Sequence, residues 1–266
     1  MHRYYRIVHL IAALVVLEAV ICPLAAQTSA GSDPALATTI EDLVVASRIL
    51  ADQGVVDAYG HVSIRHPSNP NHYLMSRALA PAQVTAADIM EFDLESNPID
   101  QQGRGLFIER FIHGEIYKAR PDVNAVAHSH SPAVIPFGVT AVPLRAVAHT
   151  AAFLWQGAPV WDIRATRVVN DMLVRDGTLG KALATTLGSK PVALMRGHGD
   201  VVVGKNLQAA VARAVYTEVN ARILTAALGL GGPITYISAE EGGTIDQRPG
   251  DETRAWNMWK DRVMKK

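Results

Sequence analysis

The chain has 266 residues, 49% of them hydrophobic and 19% charged, which describes a globular protein of one large domain or two small ones. Its 25 lysines and arginines balance its 25 aspartates and glutamates, so no charge excess favours nucleic acid or an anionic membrane surface as a partner. The single cysteine, Cys22, excludes an intramolecular disulfide framework and a cysteine-rich metal site.

The first 26 residues have the order of features of a secretory signal peptide. Arg3 and Arg6 precede an almost wholly apolar run over 7–21, and small residues follow around Ala26. The apolar run is shorter than the roughly 20 residues of a membrane-spanning helix. We predict cleavage near Ala26 and a periplasmic or secreted protein, with an uncleaved N-terminal membrane anchor as the alternative. Residues 27–37 are predicted to be a polar linker.

The spacing of apolar residues predicts helices and strands that do not alternate strictly. Apolar residues recur every three or four positions in a helix and at every second position in a strand. The predicted helices span 38–53, 107–118, 167–175, 181–187, 206–228 and 251–264. The predicted strands span 59–65, 73–76, 89–94, 123–130, 192–195 and 201–203. Thr39 is expected to cap the first helix, and 240–248 is expected to be a flexible loop.

This mixture of elements predicts an α/β (α+β) fold. We expect a central, mostly antiparallel sheet covered by helices, because strict strand–helix alternation would be needed for a parallel sheet. The single domain is expected to span 38–232. A C-terminal extension over 233–266 is expected to pack on it through Trp256 and Trp259 of the last helix.

Three histidines point to a metal site. Side chains two positions apart in a strand lie on the same face, so His128 and His130 are expected side by side, at a spacing that suits one metal ion. A third histidine, His198, lies between two glycines beside another predicted strand. A lone pair would more simply be an accident of sequence or a source of hydrogen bonds at a strand end. Three imidazoles with an open fourth position are typical of a catalytic zinc site.

Four stretches together make the chain resemble the class II aldolase/adducin family. In chain order they are Gly60-His61-Val62-Ser63-Ile64-Arg65, similar to the family's Gly-Asn-x-Ser-x-Arg strand, Glu109-Arg110-Phe111-Ile112-His113, similar to its Glu-x-x-x-His, then His128-Ser129-His130 and Gly197-His198-Gly199. Each motif alone is weak, but their order and spacing together are specific. The resemblance covers about Ile40 to Leu230 and implies a single domain with the class II aldolase fold.

The resemblance implies a divalent metal ion, zinc first and manganese second, held by His128, His130 and His198. It also implies that Glu109 lies beside the metal, as a ligand of the resting ion or as the catalytic acid/base once substrate displaces it. A metal with a nearby carboxylate stabilises the carbanion or enediolate that retro-aldol cleavage and decarboxylation share.

Departures from the family's pattern favour decarboxylation. The sugar-phosphate aldolases carry two serines before the glutamate, where this chain has Phe107 and Ile108, and an asparagine where it has His61. An apolar pair is a poor phosphate cradle, because phosphate needs hydrogen-bond donors and positive charge. The family's epimerases carry an aspartate where this chain has Ala151. The chain looks most similar to the subgroup that decarboxylates aromatic acids and hydroxy-carboxymuconic semialdehydes.

Five further residues are candidates for substrate binding: His61, Ser63, Ser76, Arg77 and His113. The planar guanidinium of Arg77 suits a carboxylate, and a surface ion pair is the alternative. His61 is expected either to contact substrate or to make a structural hydrogen bond. His113, one helical turn after Glu109, would orient that glutamate or be an ordinary buried histidine.

Three functions stay open at this point. The first is a metal-dependent carbon–carbon lyase that decarboxylates a hydroxylated aromatic or muconate-type acid. The second is a class II aldolase for a hydroxy-carbonyl substrate, phosphorylated or not, and the third is a non-catalytic adducin-like interaction domain. Retention of three histidines and the glutamate favours an enzyme. The expected partners are a small-molecule substrate and, by resemblance, further copies in a homotetramer, with no nucleic acid and no membrane beyond the N-terminal segment.

Overall fold

The computed structural model of the chain describes residues 33–246 and 252–265, so the predicted signal peptide lies outside the described residues. Within them, seven strands form one sheet in the order β3-β2-β1-β4-β7-β6-β5. The strands are β1 His61–Arg65, β2 His72–Ser76, β3 Ile89–Asp93, β4 Ala125–Ser129, β5 Val160–Trp161, β6 Val192–Met195 and β7 Gly199–Gly204. Neighbouring strands pair antiparallel except β5 with β6, which confirms the predicted mostly antiparallel sheet.

Helices cover both faces of this sheet. They are α1 Pro34–Asp52, α2 Phe111–Ala119, α3 Ile135–Val139, α4 Gly177–Leu187, α5 Leu207–Leu230, α6 Ala239–Asp246 and α7 Glu252–Met264. One apolar cluster joins one sheet face to α1, α5 and α7, and includes the buried rings of Trp256 and Trp259. A second cluster joins the other face to α2 and α4. In the described part of the chain, no helix has the length and apolar character needed to cross a membrane.

The alternation of side chains along β4 decides where the histidines lie. Ala125 and Ala127 belong to the cluster under α5, whereas Val126 belongs to the cluster under α2. Because successive side chains of a strand point to opposite faces, His128 shares the face of Val126. The first of the three predicted metal ligands is therefore directed toward α2 and the turn that precedes it.

Several predicted elements differ from the structure at their ends. The first helix begins at Pro34, and its cap is Asp33, whose Oδ1 accepts from the Ala35 amide at 3.0 Å, so the predicted Thr39 cap is wrong. An acidic residue before a proline at the first helical position is a helix start that apolar periodicity does not detect. The strand predicted to reach His130 ends at Ser129. The helix predicted from 107 is a short 3-10 turn over Ile108–Arg110 followed by α2.

Two predictions of element type are wrong, and one strand was not predicted. Residues 167–175 form a loop, because Oδ1 of Asn170 and of Asp171 accept from the backbone amides of Met172 and Leu173. Conversely, 240–246 is helical, because Ser238 and Glu241 make the reciprocal hydrogen bonds of a capping box. The unpredicted strand, β5, has two residues, too few for a period to be visible.

Candidate metal centre

Two glycines in the β6–β7 turn bring the third histidine to the end of β4. Gly197 has φ +66° and Gly199 has φ +154°, both in the range that side chains disfavour. A Cβ on Gly199 would lie 1.8 Å from the Ser129 carbonyl oxygen, so only glycine lets β7 approach β4 this closely. His198, held between the two glycines, therefore faces His130.

Four side chains converge on one point: Glu109, His128, His130 and His198. Each offers one ligand atom, and these four atoms lie within 4.8 Å of one another. The Nε2 atoms of His130 and His198 are 2.9 Å apart. Oε2 of Glu109 lies 3.3 Å from His198 Nε2 and 3.5 Å from His128 Nε2. We call these four residues the metal cluster.

The donor atoms of the cluster fit a divalent metal ion. His128 donates its Nδ1 hydrogen to the Asp200 carbonyl oxygen at 2.9 Å, which leaves a lone pair on Nε2. This Nε2 is buried and has no hydrogen-bond partner among the described residues. A buried polar atom without a partner is costly, and a cation at the centre of the cluster would satisfy it. Three imidazole nitrogens and one carboxylate oxygen are ligands that zinc and manganese accept.

The electrostatics of the cluster favour positive charge at its centre. Burial raises the pKa of Glu109, but the neighbouring imidazoles of His128 and His198 outweigh it, and the pKa lies well below its usual range. Burial lowers the pKa of His128, yet the nearby carboxylate of Glu109 outweighs it and the net shift is upward. Burial, with the charges of His128 and His198, lowers the pKa of His130 to about 4. An ionised carboxylate beside a neutral imidazole is a state that can bind a metal.

The backbone of a nearby loop holds Glu109 in place. Glu109 lies in the 3-10 turn with φ −89° and ψ 17°, outside α2. Its Oε1 accepts a hydrogen bond from the Val174 amide at 2.9 Å, which leaves Oε2 facing the histidines. The Glu109 side chain is 9% exposed, so this orientation is fixed by protein contacts.

A buried chain of hydrogen bonds lies behind the cluster. His61 Nδ1 is 2.7 Å from His113 Nε2, and His113 Nδ1 is 2.6 Å from the Ser63 hydroxyl, which is 2.7 Å from the Tyr117 hydroxyl. Burial lowers the pKa of His113 to about 3, so its ring is neutral. His113 thus bonds to His61 and Ser63, whereas the Oε1 of Glu109 accepts from the Val174 amide.

The predicted substrate-binding residues fall at different places. The ring of His61 lies beside the cluster, 5.2 Å between ring centroids from His128 and 4.5 Å from Phe107. Ser63 is fully buried, and its hydroxyl lies between His113 and Tyr117. Ser76 is buried at the end of β2, opposite Ile89 of β3.

Arg77 makes the ion pair that was the alternative to a carboxylate-binding role. Its Nε donates to Oδ1 of Asp88 at 2.6 Å, and the Asp88 side chain is only 11% exposed. Oδ2 of Asp88 also accepts from the amide and the hydroxyl of Thr85. The Arg77–Asp88 pair therefore belongs to the short turn that leads into β3.

Three residues that sequence reasoning missed support the ligands. Asp200 supplies the carbonyl that orients His128, and its buried carboxylate, whose pKa burial raises to about 6, accepts from the Ser129 hydroxyl. Glu218, buried on α5, accepts from the hydroxyl of Ser131, just after His130. Val174 acts through its backbone amide, and such a contact cannot be predicted from the type of the residue. Of these three residues, only Asp200 has a signal in the sequence, because an aspartate directly before the apolar run 201–203 is unusual in a buried strand.

Comparison with known proteins identifies relatives over most of this structure. The Class II Aldolase and Adducin N-terminal domain family matches residues 41–225. Decarboxylase tropJ of Talaromyces stipitatus is 33% identical over 244 residues, covering 83% of this chain and 92% of tropJ. The 3,4-dihydroxyphthalate decarboxylase of Arthrobacter keyseri is 29% identical over 212 residues, which cover 73% of this chain and 80% of that enzyme. The solved structure of the L-fuculose 1-phosphate aldolase of Glaciozyma antarctica shares the fold, with a TM-score of 0.70 and 24% sequence identity. The match covers 86% of this chain and 89% of the aldolase chain.

Proposed function

Since the chain belongs to the class II aldolase and adducin family, we propose that it is a divalent-metal-dependent carbon–carbon lyase that decarboxylates a hydroxylated aromatic or muconate-type carboxylic acid. The observation that carries the proposal is the convergence of Glu109 and the three histidines, with a buried His128 Nε2 that lacks a partner among the described residues. Decarboxylases among the relatives support the reaction type. An interaction domain would have no need of this cluster.

His128, His130 and His198 would hold the metal ion, with Glu109 as a fourth ligand or as the neighbouring acid/base. Zinc suits this set of imidazole and carboxylate ligands, and manganese is the second candidate. When bound, the ion supplies Lewis-acid polarisation of a substrate oxygen. Asp200 and Val174 keep His128 and Glu109 in the orientation that this requires.

Glu109 is the group placed to move the proton. When carbon dioxide leaves, the electron pair of the broken carbon–carbon bond stays on the substrate, and a proton must replace the lost group. Glu109 is ionised at rest, so it first accepts a proton at Oε2, for instance from a phenolic hydroxyl. Once protonated, it can deliver the proton to the carbon, because His128 and His198 favour its ionised form and so make the protonated carboxyl a stronger acid than an ordinary one.

The surroundings of the cluster support an aromatic or unsaturated substrate over a sugar phosphate. Phe107 lies against His61 where the family's phosphate-binding aldolases carry a serine. His61 is neutral, since burial holds its pKa well below its usual range, and its Nδ1 is engaged with His113. A neutral ring and an apolar wall accommodate a planar, weakly polar group better than a phosphate dianion.

We also propose that the active form is a homotetramer, as the family resemblance implies. Val168 and Val169, in the loop that holds Glu109, are 81% and 88% exposed, and Leu230 at the end of α5 is 88% exposed. Exposed apolar side chains of this kind favour contact with another copy. Light scattering on the purified chain would test this proposal, and a monomer would reject it.

Carbon dioxide release from a substrate panel tests the reaction. The purified, zinc- or manganese-loaded chain would be assayed with 3,4-dihydroxyphthalate, dihydroxybenzoates and muconate-type semialdehyde acids. Release from one of these acids, absent in Glu109→Gln, would support the proposal. No release from any of them, with cleavage of a hydroxy-carbonyl substrate instead, would replace decarboxylation by aldol cleavage.

A further inference from the structure

The buried chain of hydrogen bonds behind the metal cluster ends at the ring of His61. It runs from the Tyr117 hydroxyl to Ser63, then to His113 and then to Nδ1 of His61, at 2.7, 2.6 and 2.7 Å. Tyr117, Ser63 and His113 are each at most 1% exposed. The direction in which the hydrogens point along this chain is therefore decided by the side chains themselves.

Tyr117 decides that direction. Burial raises the pKa of its hydroxyl, and a backbone hydrogen bond from Val126 opposes this shift, so the Val126 group donates to the phenol oxygen and cannot accept its hydrogen. Among the described residues, the Ser63 oxygen is the acceptor that remains. The opposite direction would leave the Tyr117 hydrogen buried without an acceptor, which is costly, so Tyr117 donates to Ser63.

The directions of the other two bonds follow from this one. Because Ser63 accepts from Tyr117, its own hydrogen goes to Nδ1 of His113. Both histidine rings are neutral, because burial lowers the pKa of each. A neutral His113 with a bare Nδ1 carries its hydrogen on Nε2 and donates it to Nδ1 of His61. His61 therefore carries its own hydrogen on Nε2.

This Nε2 hydrogen lies beside the metal cluster. His61 pairs with His128 in the β1–β4 register, and paired residues of neighbouring strands share a face. The centroids of the two rings are 5.2 Å apart. Unlike Nε2 of His128, Nε2 of His61 is not among the fully buried atoms that lack a partner in the described part of the chain. A molecule bound at the cluster can therefore reach the Nε2 hydrogen of His61.

We propose that Tyr117, Ser63 and His113 are positioning residues that hold His61 as a fixed N–H donor to the substrate oxygen on which negative charge develops. This inference rests on the proposed function and adds a residue to its mechanism. When carbon dioxide leaves, the electron pair moves toward a conjugated oxygen, and a fixed donor there stabilises the transition state more than the ground state. His61 keeps its hydrogen throughout, so it does not compete with Glu109 for the proton of the substrate.

The position of the hydrogen on His61 can be measured without turnover. In solid-state NMR of the zinc-loaded chain with ¹⁵N-labelled histidine, a protonated and a bare ring nitrogen give separate ¹⁵N resonances. The signals of His61 are identified by their absence from His61→Asn. We expect the Nε2–H form to exceed the Nδ1–H form by about tenfold or more, because the reverse direction leaves a buried donor unpaired.

Two variants each remove one hydroxyl from the chain of hydrogen bonds. Ser63→Ala disconnects Tyr117 from His113, so the two forms of His61 should become about equally populated. Tyr117→Phe is the matched control, because Ser63 can still donate to His113, and it should keep the excess of the Nε2–H form. The zinc content of both variants should equal that of the wild type.

Contact between His61 and a ligand is tested on the same wild-type sample. Catechol carries phenolic oxygens but has no carboxylate to lose, so it can bind without turnover. We expect catechol to shift the Nε2–H proton resonance of His61 and to slow the exchange of this hydrogen with water, because the N–H gains an acceptor. His149, at an exposed position, should show neither change.

The outcomes separate this inference from the proposed reaction. A bare Nε2 on His61 in the wild type, or an unchanged excess of the Nε2–H form in Ser63→Ala, would overturn the positioning role. An Nε2–H resonance that no concentration of catechol changes would overturn the contact with substrate. If carbon dioxide is released in either case, decarboxylation stands while the role of His61 falls. All the expected NMR results without carbon dioxide release would keep the fixed donor and reject the decarboxylase.

Discussion

At the scale of single residues, two ligands of the cluster, His128 and Glu109, each depend on a backbone group that fixes their orientation. The Asp200 carbonyl sets the tautomer of His128, and the Val174 amide directs one oxygen of Glu109 toward the histidines. Neither contact is visible in the sequence, because backbone groups act whatever the side chain is. The identities of the ligands could be predicted from motif and resemblance, whereas their orientation depends on backbone contacts that form only in the folded chain.

Glu109→Gln tests the proton-transfer role. The amide keeps the size and the hydrogen bond to Val174, so we expect a folded chain in which turnover falls by about 10²–10⁴-fold. The measurement is kcat for carbon dioxide release. Glu95→Gln, at a side chain that is 66% exposed, is the matched control and should retain the wild-type rate. A wild-type rate in Glu109→Gln would remove Glu109 from the mechanism.

His113 predicts a loss of stability as pH falls. Burial lowers its pKa in the folded chain to about 3, whereas in the unfolded chain it has the ordinary value of 6.5. The unfolded state therefore binds a proton below pH 6.5 that the folded state does not, and stability declines from there toward pH 3. At pH 5 the loss is about 2 kcal/mol relative to pH 7.5.

The difference between the wild type and His113→Gln isolates this contribution. The free energy of unfolding in urea, measured at pH 7.5 and pH 5 on metal-free protein, should fall less with pH in the variant by about 2 kcal/mol. All other histidines are the same in both proteins, so their contributions largely cancel. The same pH dependence in both proteins would contradict a buried, neutral His113.

At the scale of elements, hydrogen bonds between side chains and the nearby backbone explain the two elements whose type apolar periodicity predicts wrongly. The predicted helix over 167–175 is a loop because Asn170 and Asp171 bond to the backbone ahead of them. The predicted loop after 239 is a helix because Ser238 and Glu241 cap it. The regular elements β1, β2, β6 and α5 lie close to their predictions, since their apolar patterns agree with the sheet faces and the core that bury them.

We predict that Gly199, in the β6–β7 turn, cannot be replaced without loss of stability. Gly199→Ala would place a Cβ 1.8 Å from the Ser129 carbonyl at a φ of +154°, so we expect a loss of several kcal/mol in the free energy of unfolding. Gly229→Ala is the matched control, because a Cβ there meets nothing within 4 Å and α5 is helical. It should gain about 0.5–1 kcal/mol.

Urea unfolding of both glycine variants checks this prediction. If Gly199→Ala lowered the free energy of unfolding no more than Gly229→Ala does, β7 and β4 could separate at this point without loss of stability. The His198–His130 distance would then not depend on the close approach of these strands.

At the scale of the whole molecule, the sheet, its helices and the four convergent ligands could be predicted from the sequence because a multi-part motif pattern accompanied them. The loop over 167–176 could not be predicted, since it has no regular period and its key contact is made by the Val174 backbone. The candidate role of Arg77 shows the same limit. An arginine's chemistry can be read from sequence, but its partner Asp88 is set by the turn into β3.

We propose that the chain is exported to the periplasm or secreted, with its first 26 residues as the signal peptide. Expression of the full chain in a bacterium followed by intact mass measurement should show a mature protein that begins within a few residues of Gln27. A full-length protein in the cytoplasm would reject export, and a full-length protein in the membrane fraction would favour the N-terminal anchor.

The central claim is metal-dependent decarboxylation at the cluster of Glu109, His128, His130 and His198. The most direct measurement is metal content per chain together with carbon dioxide release, before chelation, after it and after metal is restored. We predict about one bound ion per site, loss of both quantities on chelation and their joint return. His128→Ala should show neither, and His149→Ala, at an exposed position, should show both. Undiminished carbon dioxide release from the metal-free chain, or full metal occupancy in His128→Ala, would contradict this account.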